Sequence, residues 1–151
     1  MKIYFAGPLF TLGERMFNTA VVEHLRLLGH EVFLPQEIEQ AATTDQTIFD
    51  AEVKAMRWCD AIVANMDGPD PDSGTCWEVG NVWRDKLSIV YRTDIRDEEP
   101  FGPFNLMLHR AANVTLNLKW RTAPECAEAI DIALRDLYDT GAIPKGASVS
   151  R

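Results

Sequence analysis

"DAIVANMDGPDPDSGTCWEVG" occupies residues 60–80. Its opening, "DAIVANM", is a nearly continuous Ala/Ile/Val run. A strand exposed on one face alternates apolar with polar, so an unbroken run predicts a parallel strand covered on both sides. A stretch dense in Pro, Gly and Asp follows, and residues 74–84 then read as a helix. Strand, rigid loop and helix in that order make the repeating unit of an α/β protein.

Working outward, "KIYFA" (2–6) is a short apolar strand stopped by Gly7 and Pro8. "HEVFLP" (30–35) reads as a second strand closed by Pro35, "LSIVYR" (87–92) as a fourth and "ANVTLNL" (112–118) as a fifth. Between them, Phe17, Val21, Val22, Leu25 and Leu28 recur at helical spacing and Gly29 supplies a stop. A second helix is predicted over 47–59, with Ile48, Phe49, Val53 and Met56 on one side, and a fourth, after the one over 74–84, over 123–140, with Pro124 near its start and Gly141 at its end. Residues 36–45 and 93–110 read as irregular connections. Strands alternating with helices predict an α/β fold with a five-stranded parallel sheet and helices on both faces. In such sheets ligands bind outside the carboxyl ends of the strands, which selects the loops after strands one, three and four.

The composition narrows the function. The chain has 151 residues, 46% hydrophobic and 25% charged, as expected for one domain over 1–140 with a flexible tail over 141–151. A formal charge of −8 disfavours nucleic acid, whose phosphates demand a basic surface. Cys59, Cys76 and Cys126 have no metal-ligand spacing, so neither a zinc site nor a disulfide framework is expected. The first apolar run is too short for a membrane span, which predicts a cytoplasmic protein. Four tryptophans, Trp58, Trp77, Trp83 and Trp120, read as core residues, and His24, His30 and His109 have no Ser or Cys partner in a recognisable motif.

Within the selected loops, two carboxylates stand out. Glu78 lies within about one and a half turns of a helix start capped by Ser73 or Asp72, where the positive end of the macrodipole favours the ionised form by about 0.3 to 1 kcal/mol. It is either decoration of a helix terminus or a carboxylate nucleophile. Asp72, held by "PDPDSG", is either a cap or a second carboxylate sharing the chemistry. In "FGPFNLMLHR" a single amide, Asn105, sits among Phe101, Phe104, Leu106, Met107 and Leu108. That much apolar surface on a loop predicts burial, either on its own domain or against another subunit.

Taken together, "KIYFAGP", "DAIVANMDGPDPDSGTCWEVG" and "PFNLML" resemble the nucleoside 2-deoxyribosyltransferase family. The resemblance implies a flavodoxin-like, Rossmann-like doubly wound sheet and transfer of a 2-deoxyribosyl group between nucleobases through a sugar-enzyme intermediate. It implies that Glu78 is the nucleophile, that Asp72 binds and helps to protonate the departing base, and that Tyr4, by itself an ordinary core residue, orients Glu78. It further implies that Gly7, Pro8 and Gly74 line the substrate site and that Glu52 contributes to it, standing where several family members carry aspartate. Asn105, with Met107 nearby, would reach the sugar of a neighbouring subunit, so that the working unit is a homodimer or larger. No metal or organic cofactor is implied. A hydrolase of 2-deoxynucleoside 5-monophosphates and a nucleoside-sensing module are the alternative functions.

Overall fold

The computed structural model describes residues 1–39, 44–94 and 105–142. Among the described residues eleven elements follow one another: β1 (Lys2–Ala6), α1 (Leu12–Leu27), β2 (Glu31–Phe33), α2 (Pro35–Glu39), α3 (Asp45–Trp58), β3 (Ala61–Asn65), α4 (Ser73–Val82), β4 (Leu87–Arg92), α5 (Leu106–Ala111), β5 (Val114–Asn117) and α6 (Ala123–Asp139). The five strands form one sheet in the order β2-β1-β3-β4-β5, with every neighbouring pair parallel. That is the flavodoxin-like order, whose switch point lies between β1 and β3.

The period of two along each strand sorts side chains onto two cores. Ile3 and Phe5 of β1, Ala61 and Val63 of β3, and Ile89 and Tyr91 of β4 face α1 and α6. Tyr4 and Ala6, Ile62 and Ala64, and Val90 face Ala55 and Met56 of α3 and Val79 of α4. All five residues of β3 are buried, as the unbroken apolar run predicts. A sheet covered on both faces leaves its strand ends as the place where polar groups can converge.

Four expectations need correction. α1 begins five residues before Phe17, because Thr11 and Glu14 form a capping box: the Thr11 hydroxyl accepts the Glu14 amide, and the Glu14 carboxylate accepts the amides of Phe10 and Thr11. Pro35 does not close β2 but opens α2, its fixed φ suiting a first helical position. The second half of the expected loop 93–110 contains α5, started by Asn105, whose side-chain Oδ1 accepts the Met107 amide at 2.9 Å. No tryptophan is fully buried: Trp77 is 50% exposed and Trp120 80%. Residues 95–104, including Phe101 and Phe104, and the tail beyond Ala142 lie outside the described residues.

Ile62 lies at the centre of the α3/α4 face, wholly buried beside Tyr4. Ile62→Ala is expected to lower unfolding stability by about 2 to 5 kcal/mol through lost transfer energy and a residual cavity. Urea denaturation checks this, with the slope against denaturant unchanged.

Candidate active site

The site begins at the middle of β1. Tyr4 has no solvent exposure, and its ring stacks on Phe33 of β2 with centroids 5.4 Å apart and planes 16° from parallel. The ring packs between Phe33 and residues of α3, and its hydroxyl donates a hydrogen bond to Oε1 of Glu78. Tyr4 is therefore both the core residue that its strand position predicts and a polar contact of the site. Burial pushes its hydroxyl far above the ordinary tyrosine range, and the Glu78 carboxylate adds to the effect, so it remains a proton donor.

Glu78 sits in the sixth position of α4, part-buried against this hydroxyl. The helix dipole favours its ionised form, but burial wins. Its carboxyl is pushed up from the ordinary 4.5 to about 7. Loss of water is the largest cause, the Tyr4 hydrogen bond pulls the other way, and the carboxylates of Glu52 and Asp72 push it further up. The expectation that Glu78 simply stays ionised at neutral pH is thus corrected: near pH 7 both protonation states are populated.

Glu52 reaches the same place from α3 and is close enough to raise both Tyr4 and Glu78. Asp72 is the N-cap of α4, its Oδ2 accepting the Thr75 amide at 2.8 Å and the Thr75 hydroxyl at 3.1 Å. Gly74 makes room for that carboxylate, since a Cβ there would lie 3.1 Å from Oδ2. Gly7 lets the end of β1 pass close to β3, where a Cβ would lie 3.1 Å from that of Asn65. The Pro8 carbonyl accepts a hydrogen bond from the buried Asn18 amide at 2.8 Å, which fixes the turn. The sequence-predicted residues Tyr4, Glu52, Asp72 and Glu78 are therefore brought into one electrostatic cluster, with Gly7 and Pro8 following the end of β1 on the chain and Gly74 against Asp72. Asn105 and Met107 lie at the start of α5, which packs against α4, and Met107 is 76% exposed.

Two features were not read from the sequence. Phe33, called only a strand residue, is the ring that holds Tyr4. Phe49 of α3 and Trp77 of α4 meet at 6.0 Å between ring centroids, each half exposed, beside the two glutamates. Spacing reveals neither contact, because each joins elements distant in the chain.

Comparisons with known proteins bear on the family and the fold. The family model described as nucleoside 2-deoxyribosyltransferase matches residues 3–107, and the chain belongs to that family. Among solved structures, a conserved protein from Enterococcus faecalis V583 is 25% identical, with a TM-score of 0.69 over 88% of this chain and 98% of its own. A 2-deoxyribosyltransferase from Leishmania mexicana is 26% identical, with a TM-score of 0.63 over 87% of this chain and 96% of its own. A CMP N-glycosidase from Clostridium botulinum, 18% identical with a TM-score of 0.63 over 88% of this chain and 99% of its own, shares the fold. No curated protein matches the sequence. Family membership implies small-molecule nucleosides as substrates, and among the described residues no helix is long and apolar enough to cross a membrane.

The raised carboxyl of Glu78 has a measurable consequence. Unfolded, it titrates near 4.5, and folded near 7, so between these values the folded state holds more protons and stability falls as pH rises. Glu78→Gln should abolish that fall and leave the variant about 1 to 3 kcal/mol more stable than the wild type at pH 8, by denaturation at a series of pH values. In carboxyl-selective NMR, the Glu78 midpoint should rise in Tyr4→Phe, which removes the hydrogen bond favouring the anion. It should drop in Glu52→Gln, which removes a like charge.

Proposed function

We propose that the chain is a nucleoside 2-deoxyribosyltransferase that works through a covalent intermediate on Glu78. The observation that carries this reading is the Tyr4–Glu78 contact at the switch point of the sheet. Tyr4 holds Oε1 of the carboxylate, which leaves Oε2 to face an electrophilic carbon. Oε2 attacks the anomeric carbon of the donor nucleoside, the bond from that carbon to the base nitrogen breaks, and its electron pair leaves with the base. Asp72, whose hydrogen bonds within the chain fall on Oδ2, passes to the departing base a proton that Oδ1 has taken up from solvent. An acceptor base then attacks the same carbon, the Glu78 oxygen leaves, and Asp72 recovers the proton from the incoming base. Two inversions give net retention. Glu52, sharing the cleft, contributes to recognition of the base, and Gly7, Pro8 and Gly74 supply a close backbone surface.

Transfer wins over hydrolysis only where the glycosyl ester is kept from water. The exposed Leu106 and Met107 at the start of α5 support an assembly in which a second subunit covers the site. Asn105 spends its Oδ1 on capping α5, so its amide hydrogens remain for a sugar hydroxyl of the neighbour. The 5-monophosphate hydrolase finds less support. Thr11 accepts the Glu14 amide of α1, Glu14 accepts the amides of Phe10 and Thr11 just before the helix, and the Arg15 guanidinium donates to the carbonyls of Leu9 and Gln36. These groups, which could otherwise turn to a phosphate beside β1, are committed within the chain.

Incubation with deoxyinosine or thymidine plus free adenine should yield deoxyadenosine, and thymidine should turn over faster than its monophosphate. Glu78→Gln should lose transfer by on the order of 10^4-fold or more while still binding nucleoside. Wild-type protein that binds nucleosides without turnover would instead make the chain a sensor.

A further inference from the structure

Arg92, the last residue of β4, is 1% exposed and is the one fully buried cation among the described residues. Burying a guanidinium is costly, and an apolar side chain of similar volume would often be as stable or more so. Two of its bonds run to one loop. Nε donates to the Met66 carbonyl at 3.0 Å and Nη2 to the Gly68 carbonyl at 3.0 Å, both in the loop that follows β3. The reverse side is tied as firmly. Asp67 accepts the amides of Thr93 and Asp94 and the Thr93 hydroxyl, and Asp94 accepts the Gly68 amide at 2.9 Å while lying 3.6 Å from the Arg92 guanidinium. The start of the Asp72 loop is thus fastened to the end of β4 from both directions.

The fastening reaches Asp72 through stiff chain. Gly68 has φ of +117°, a conformation that only glycine adopts readily, and a Cβ there would lie 3.1 Å from the Asp70 carbonyl. Pro69 and Pro71 then fix φ at two of the three residues before Asp72. At its far end the loop stops on the Asp72 cap of α4, the helix that carries Glu78. We propose that Arg92, acting with Asp67 and Asp94, is a positioning residue that sets the direction of Asp72 relative to Glu78 by latching the 66–72 loop onto β4. The catalytic part of this inference rests on the proposed transferase activity, whereas the latch itself is a property of the fold.

The test compares Arg92→Met, Arg92→Lys and Gly68→Ala with the wild type, by hydrogen exchange and by thymidine-to-adenine transfer. The Thr75 amide, protected by Asp72, should exchange faster in Arg92→Met and Gly68→Ala while amides of β1 and β3 keep their protection. In the same variants kcat should fall about ten- to a hundredfold, with KM changing much less, because the misplaced group acts in the transition state. Arg92→Lys, which keeps the charge but not the forked geometry, should recover part of both. Unchanged exchange at Thr75, or loss of protection spread evenly over the sheet, would overturn the latch. Wild-type kcat with faster Thr75 exchange would overturn its catalytic part. A wild-type protein without transferase activity would sink the functional reading, and the exchange data would still decide the latch.

Discussion

One hydrogen bond, from the Tyr4 hydroxyl to the Glu78 carboxylate, joins the first strand to the fourth helix, and the candidate site is built around it. The two residues are 74 positions apart, so the bond exists only if β1 and β3 are neighbours and α4 folds back over their shared face. It satisfies a phenol that would otherwise be buried without a partner, and it holds a carboxylate that water has largely abandoned. A part-buried carboxylate with one side-chain donor among the described residues is poised between protonation states, as its value of about 7 reflects.

The surrounding fold serves that contact in layers. The period of two along β1 sends Tyr4 and Ala6 toward α3 and α4 while Ile3 and Phe5 pack under α1 and α6, so one short strand supplies both a core and a site. Phe33 immobilises the ring from the β2 side. The loop after β3 is rigid because of two prolines, a left-handed glycine, a helix cap at one end and a buried guanidinium at the other. Rigid support matters here: a proposed nucleophile and a proposed proton carrier on different segments must keep their mutual geometry without a bound ligand to align them.

The family relationship and the geometry constrain different things. Membership implies small-molecule nucleosides as substrates. The kinship in fold with both a 2-deoxyribosyltransferase and a CMP N-glycosidase means that the sheet alone does not choose between transfer and hydrolysis. That choice falls to local features: how phosphate-binding groups are committed around Thr11 and Arg15, and whether the apolar start of α5 is covered to keep water out.

Much of this was legible in the residues themselves. The unbroken run in 61–65 and the strand-helix alternation determined the parallel five-stranded sheet, because burial on both faces and helical spacing are local patterns. The motif around Asp72 and Glu78 pointed to the site through its resemblance to a family. The capping box of Thr11 and Glu14 was also present in the sequence and marks the true start of α1, whereas α5 is too short for periodicity to reveal. What only the tertiary structure decided was the chemistry of the carboxylates. The sequence places Glu78 near a helix N-terminus, which favours the anion, but its desolvation, its bond to Tyr4 and the nearness of Glu52 arise from segments dozens of residues away. Burial and charge proximity are sums over three-dimensional neighbours, so they become readable only once the chain has folded.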